Sequence, residues 1–304
     1  MKIGFIGLGI MGEAMAANIV KKHDDTVLVS DVVPEKVAAL TALGAVGCES
    51  NLELAEKVDF IISMVPKSEH VTAVCEGILP ALGPGKIWVD MSTIDPSVSV
   101  EIGRKVKATG AVFADAPVVK SRPAAEAGKL GIYVGCDEAD YEKIQPVMAY
   151  MGENIIRMGG NGKGLVMKIC HNAMVSQIQN GVNETLALAE LNDIDVDTFV
   201  TAVSYGGAFN WYLDSKKAVL KSGDYTTAFS AENMNKDIGI CLRLAESVGL
   251  SMPGEKNAQE VYRRTLEAGN GRKDFSVTFE TVKAGRTPES QIAESRYAAG
   301  ENHE

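Results

Sequence analysis

Hydrophobic and polar positions follow one grammar up to about residue 160 and another beyond it. In the first stretch, short apolar runs alternate with segments of helical period. The runs are Lys2–Ile6, Thr26–Ser30, Ala45–Cys48, Val58–Val65, Lys86–Met91, Val112–Ala116, Leu130–Gly135 and Ile155–Met158. Helical segments separate most of them, at 13–19, 34–43, 51–55, 71–79, 97–108 and 138–151, while Pro117–Arg122 reads as a loop. Strand and helix in alternation predict a doubly wound parallel sheet. Gly159-Gly160-Asn161-Gly162-Lys163-Gly164 then breaks the pattern. Leu165, Ile169, Ala173, Val175, Ile178, Val182, Leu186 and Leu188 predict one helix to about Glu190, roughly 39 Å at 1.5 Å per residue. Helices at 196–203, 212–220, 234–247 and 256–268 follow without strand punctuation. The reading is an α/β Rossmann dinucleotide-binding domain, residues 1–163, and an all-helical domain, residues 164–304, for substrate and oligomerisation. The polar end at 298–304, with His303, is expected to fray.

The first strand runs straight into Gly7-Leu8-Gly9-Ile10-Met11-Gly12 and then a helix. In a G-x-G-x-x-G turn of this kind, Gly7 permits the tight reversal and Gly9 lets a pyrophosphate approach the backbone. Gly12 lets helix and strand pack closely. The helix start offers unpaired amides and a positive dipole end to an anion. The second strand ends on Asp31, 19 residues after Gly12, where a carboxylate holds a ribose hydroxyl. A carboxylate there repels a 2′-phosphate, and Val32-Val33-Pro34 supplies no arginine, so the reading is NAD rather than NADP.

Composition narrows the partners. Net charge is −10, which argues against nucleic acid and anionic membranes, although a local pocket can still hold a small anion. No apolar run approaches the roughly 20 residues of a membrane span. The immediate start of strand one predicts no leader peptide. An odd number of cysteines, scattered at 48, 75, 136, 170 and 241, suits a reduced, cytoplasmic chain. No Cys/His spacing suits a metal.

Ligands of open parallel sheets collect beyond the C-terminal strand ends. Gly7–Gly12, Val65-Pro66-Lys67, Ser92-Thr93 and Pro117–Arg122 qualify. The long helix carries Lys168 and Asn172 on one face at i, i+4, with His171 close by. A lysine in a nicotinamide cleft suits acid/base work, while an arbitrary lysine on a helix is a solvated one.

The chain resembles the β-hydroxyacid dehydrogenase family, which includes 3-hydroxyisobutyrate dehydrogenase, tartronate semialdehyde reductase and, more distantly, 6-phosphogluconate dehydrogenase. The resemblance spans nearly the whole chain. It rests on Gly7–Asn18, Asp90-Met91-Ser92-Thr93-Ile94-Asp95-Pro96, Asp115-Ala116-Pro117-Val118, Gly159-Gly160-Asn161-Gly162 through Lys168-Ile169-Cys170-His171-Asn172, and Asn233-Met234-Asn235-Lys236-Asp237. It implies a 6-phosphogluconate dehydrogenase-like helical domain, Lys168 as general acid/base, and Asn172 on the substrate. Lys236 would reach cofactor and substrate from the helical domain. Thr93, with Val65 and Pro66, would contact the nicotinamide end, with Ser92 beside them on the substrate. The implied partner is a small anionic hydroxy acid or semialdehyde, and the implied assembly a homodimer or homotetramer.

Two departures stand out. His171 replaces the family's usual Asn, either as a tolerated change or as an added donor. Where the family continues with Ser-Gly-Gly, whose amides cradle a carboxylate, this chain has Val119-Lys120-Ser121-Arg122-Pro123. Ser121 can still donate one bond. Lys120, ahead of Arg122, is expected to bind a substrate anion by a charge-assisted bond, unless both cations point to solvent. An arginine serves this way for a sulfonate in sulfolactaldehyde reductases of the family, so a sulfonated or phosphonated aldehyde is the alternative substrate. Phe209 and Trp211 are either a helix contact or a wall of the site. A non-catalytic scaffold and an imine reductase share the fold, and Lys168, Asn172 and Lys236 weigh against both.

Overall fold

The computed structural model describes residues 1–285, so the expectation for the tail at 298–304 lies outside the described residues. The chain divides into two compact units, Met1–His171 and Asn172–Glu304.

In the first unit, nine strands form one sheet. They are β1 (Ile3–Ile6), β2 (Val27–Ser30), β3 (Val46–Gly47), β4 (Phe60–Ser63), β5 (Ile87–Asp90), β6 (Val112–Asp115), β7 (Val118–Val119), β8 (Leu130–Gly135) and β9 (Gly152–Gly159). The order is β3-β2-β1-β4-β5-β6-β8-β7, with β9 on β8. Every pair from β3 to β6 is parallel. The expectation of parallel strands throughout fails at β8, which is antiparallel to β6 and to β7. The supposed loop at 117–122 holds β7, which folds back on β8 with Val118 opposite Ile132. An antiparallel neighbour needs no helical crossover over the sheet face, and here only the five-residue helix α6 (Arg122–Glu126) intervenes.

Alternation along each strand builds the two faces. Phe5, Val29, Phe60, Ile62, Val89 and Ala114 bury one face. It packs on α1 (Ile10–Lys22), α2 (Pro34–Thr41), α6 and α7 (Glu138–Met148). Ile6, Leu28, Ile61, Trp88 and Phe113 bury the other. That face packs on α3 (Asn51–Lys57), α4 (Ser68–Ile78) and α5 (Pro96–Ala108). The last strand residues are in register, Ile6 with Ser63, Ser63 with Asp90, and Asp90 with Asp115. The second face therefore ends in a row of buried polar side chains.

The long helix α8 (Lys163–Glu190) has 28 residues and runs across the boundary between the units. The second unit adds α9 (Val196–Val203), α10 (Trp211–Ser222), α11 (Ala231–Ser247), α12 (Pro253–Glu267) and α13 (Thr278–Lys283). Its core holds Val182, Leu186, Leu213, Ile238, Tyr262 and Phe279. A short 3-10 turn and α13, at 275–283, are not announced by periodicity. Buried polar bonds hold them instead. Gln179 Nε2 donates to the Phe275 carbonyl at 2.6 Å and to Thr278 Oγ1 at 2.5 Å. Asp274 pairs with Lys216 at 2.7 Å and accepts from Ser276 Oγ at 2.6 Å.

Glu255, in the first turn of α12, is buried and accepts from Ser176 Oγ at 2.9 Å and Gln177 Nε2 at 3.2 Å. Burial pushes its carboxyl up to about 7, and the two donors oppose that only in part. A carboxyl raised on folding holds its proton more tightly in the folded chain. Its contribution to stability is therefore complete at low pH and is lost as pH rises from about 4.5 through about 7. Glu255→Gln should flatten this part of the Tm–pH curve and leave the variant more stable than wild type at pH 8, as read by scanning calorimetry.

Candidate active site

The glycine turn has the geometry its sequence asks for. Gly7 sits at φ +92°, its amide donating to the Ser30 carbonyl at 2.9 Å. A Cβ on Gly7 would strike the Met64 carbonyl, whereas one on Gly9 would meet nothing within 4 Å. The first backbone bond of α1 runs from Glu13 to the Gly9 carbonyl at 2.9 Å. The amides of Ile10, Met11 and Gly12 therefore have no intrahelical acceptor, and Gly9 supplies no side-chain cap. Open space ahead of donor amides at a positive helix end fits a dinucleotide pyrophosphate. Asp31 closes the other side, accepting from Leu8 N–H at 2.5 Å and Val33 N–H at 2.8 Å. The Leu8 side chain is buried in the sheet core and only its amide faces Asp31, whereas Ile10 is exposed.

The Val65 loop is held from beneath. Val65 N–H donates to Ser92 Oγ at 2.9 Å, and Ser92 Oγ donates to Asp90 Oδ1 at 2.7 Å. Ser63 Oγ donates to the same oxygen at 2.6 Å and accepts from Trp88 Nε1 at 2.9 Å. Burial pushes the Asp90 carboxyl up to about 6; the serine donors pull against this, and the nearby Asp115 charge adds to it. Ser92 was expected beside the substrate, but it has no exposed surface and spends its hydroxyl inside this chain. Pro66 is exposed and Thr93 half-buried at the same strand ends.

Lys168 and His171 lie on the first turns of α8, with Lys168 nine-tenths buried. Tyr133 Oη approaches His171 Nδ1 at 3.5 Å. Burial lowers the His171 imidazole to about 4, and the Lys168 charge adds to the effect. The ring is neutral at physiological pH, so it does not compete with Lys168 as a cation.

The substituted loop is not a bare pair of cations. Lys120 Nζ donates to the Lys129 carbonyl at 2.7 Å and pairs with Glu153 at 3.0 Å. Arg122 pairs with Glu126 at 2.7 Å. Ser121 starts α6 without a side-chain capping bond. Lys120 keeps a left-handed backbone, φ +76°, at a position where the family has glycine.

In the second unit, Asn172 Nδ2 donates to Asp237 Oδ2 at 2.6 Å, and Lys236 pairs with Asp237 Oδ1 at 2.9 Å. One buried carboxylate therefore orients both expected side chains. Trp211 is 73% exposed and Phe209 58% exposed, so neither serves as a core contact between helices of this unit. Sequence reading assigned no role to Asp90, Asp115 or Asp237. The available signal was an acid closing a buried apolar strand, as in Ile87-Trp88-Val89-Asp90 and Val112-Phe113-Ala114-Asp115. Among the described residues, no cluster of His, Cys, Asp and Glu suits a metal ion.

Comparison with known proteins agrees with this architecture. Residues 2–160 match the NAD binding domain of 6-phosphogluconate dehydrogenase. Residues 162–282 match the NAD-binding domain described for NADP-dependent 3-hydroxyisobutyrate dehydrogenase. The 2-(hydroxymethyl)glutarate dehydrogenase of Eubacterium barkeri is 32% identical, over 92% of this chain and 94% of its own length. The NAD-dependent L-serine dehydrogenase of Pseudomonas aeruginosa is 33% identical, over 91% and 96%. The Mycobacterium tuberculosis 3-hydroxyisobutyrate dehydrogenase structure with L-serine superposes with a TM-score of 0.87 at 27% identity, covering 93% of this chain and 99% of that one. The chain belongs to the β-hydroxyacid dehydrogenase family, and its first unit is an NAD(P)-binding domain.

At position 120 the strained backbone predicts an inversion of the usual preference. Lys120→Ala loses the ion pair and keeps the strain, whereas Lys120→Gly loses both. The glycine variant should therefore be more stable than the alanine variant by about 1 kcal/mol in urea denaturation.

Proposed function

We propose that this protein is an NAD-dependent dehydrogenase or reductase that interconverts a small β-hydroxy acid and its semialdehyde. The observation that carries the reading is the open, amide-lined cradle at Gly9 with Asp31 beside it, in a chain whose buried Lys168 stands at the start of the helix that follows the sheet. Relatives named for hydroxymethylglutarate, serine and 3-hydroxyisobutyrate support a carboxylate substrate over a sulfonated or phosphonated one.

Bound nicotinamide supplies the hydride in reduction and accepts it in oxidation. Lys168 gives its proton to the carbonyl oxygen in reduction and takes the hydroxyl proton in oxidation, so charge and protons balance. Gly7 to Gly12 bind the pyrophosphate, Asp31 the ribose, and Val65, Pro66, Thr93 and Lys236 the remainder of the cofactor. Asn172, held by Asp237, and Ser121 bind substrate, with Trp211 as a wall that excludes water. Of the loop cations, Arg122 is the better candidate for a second substrate anion. Releasing it breaks only one exposed ion pair, which water screens. Freeing Lys120 also costs the bond to the Lys129 carbonyl.

Asp31, with Val32 and Val33 in place of a cation, supports NAD over NADP. Five free cysteines, four of them buried, support a reducing cytoplasmic setting. No helix among the described residues is long and apolar enough to cross a membrane. Met174, Leu188, Leu191 and Ile194 are exposed in the helical unit, which supports subunit pairing there.

The test is nucleotide turnover with succinic semialdehyde and glyoxylate, and in reverse with L-serine, 3-hydroxyisobutyrate and 2-(hydroxymethyl)glutarate. Lys168→Ala should lower kcat on the best of these by about 10²-fold or more. NADH should be preferred to NADPH by at least about tenfold in kcat/KM, on the 2′-phosphate repulsion above. A wild-type enzyme silent on the whole panel, or an equally active lysine variant, overturns the reading. Light scattering should give a mass at least twice the 32.4 kDa of one chain.

A further inference from the structure

One buried carboxylate in the first unit has a partner set that points at the catalytic helix. Asp115 closes β6 and has no exposed surface. Its Oδ1 accepts from Gly162 N–H at 2.5 Å and from Asn161 Nδ2 at 2.9 Å, and its Oδ2 accepts from Leu165 N–H at 2.8 Å. All three donors belong to the turn that enters α8 and to its first residues. Asn161 also reaches Ser99 Oγ on α5 at 3.2 Å, which ties the same turn to the helix layer.

The fit around this carboxylate leaves no slack. A Cβ on Gly164 would come within 2.8 Å of Asp115 Oδ2 and 3.0 Å of the Gly135 amide, and would overlap the Tyr133 carbonyl. Leu165 packs into the sheet core beside Ile102, Val106 and Phe113. A helix start leaves amides without intrahelical acceptors, and a carboxylate at that end also suits the helix dipole. Here the acceptor comes from a strand end rather than from a capping residue of the helix itself. Lys168 follows Leu165 by three residues, so on a rigid helix its place is fixed by what holds Leu165 and Gly164.

We propose that Asp115 is a positioning residue for Lys168, docking the first turn of α8 onto the end of β6 and so setting where the lysine ammonium stands over the sheet. This rests on the reading of Lys168 as the acid/base. A carboxamide at 115 turns one acceptor into a donor facing Gly162 N–H or Leu165 N–H, which pushes the turn away. A methyl at Gly164 displaces the same turn with the carboxylate intact. Displacements of about 1 Å at a proton-transfer group cost up to 10²-fold in rate.

The experiment compares wild type, Asp115→Asn, Gly164→Ala and Lys168→Ala, on whichever substrate of the panel turns over fastest. Each is measured for kcat, KM, NADH Kd by fluorescence quenching, and the isotope effect on kcat with 4-deuterated NADH. The expected result for Asp115→Asn and Gly164→Ala is a fall in kcat of about tenfold or more, with NADH Kd within about twofold of wild type and an isotope effect larger than wild type. A mere loss of folded molecules lowers apparent kcat and leaves KM and the isotope effect unmoved, and that result overturns the proposal. So does wild-type kcat in either Asp115→Asn or Gly164→Ala. Wild-type activity in Lys168→Ala overturns the acid/base reading and this inference with it. An inactive lysine variant beside an unaffected Gly164→Ala overturns this inference alone.

Discussion

The structure of the first unit depends on satisfying polar groups buried at the C-terminal ends of its central strands. Parallel strands stop here, helices must begin, and water does not reach the row formed by Ser63, Asp90 and Asp115. The two carboxylates answer for nearby backbone amides. Asp90 works through Ser92 to hold the Val65 amide, and Asp115 takes the amides of Gly162 and Leu165. Leaving such a donor unpaired in a dry core costs about 1–3 kcal/mol. The segments at these strand ends are therefore anchored from below.

The same economy recurs in the helical unit. Asp237 is buried and serves two side chains at once, Asn172 on α8 and Lys236 beside it on α11. Asp274 gathers Lys216, Ser276 and the amides of Ala228 and Phe229. In both units an acid behind the reactive or structural side chain fixes its rotamer, which is what a site working by geometry requires. The Ser63–Asp90–Ser92 chain is a further case, in which no member touches solvent.

The loop between β7 and α6 breaks local rules. A lysine stands in left-handed backbone at residue 120, and the loop's two cations are matched by Glu153 and Glu126. Strain of this kind, about 1–2 kcal/mol, persists only where the surroundings determine it. Here β7 pairs with β8 just before Lys120 and α6 begins just after Ser121, so the backbone has no alternative path.

Much of the fold was legible in the chain because it rests on local periodicity. Short apolar runs marked β1 to β6, the 3.6-residue period marked α8, and the glycine spacing with Asp31 marked the turn after β1. Those signals depend on one face of one element and need no knowledge of neighbours. Three things were settled only by tertiary structure. The reversal of β8 depends on which strand edge was open to it. The short helices at 275–283 depend on buried polar bonds from Gln179 and within the turn at Asp274. The partners of Ser92, Lys120 and Asp115 are a backbone amide, a carboxylate and a backbone amide lying 27, 33 and 47 residues away along the chain. Sequence pattern names the residue types a site requires; only folding brings distant donors and acceptors together and decides which of them are already spoken for.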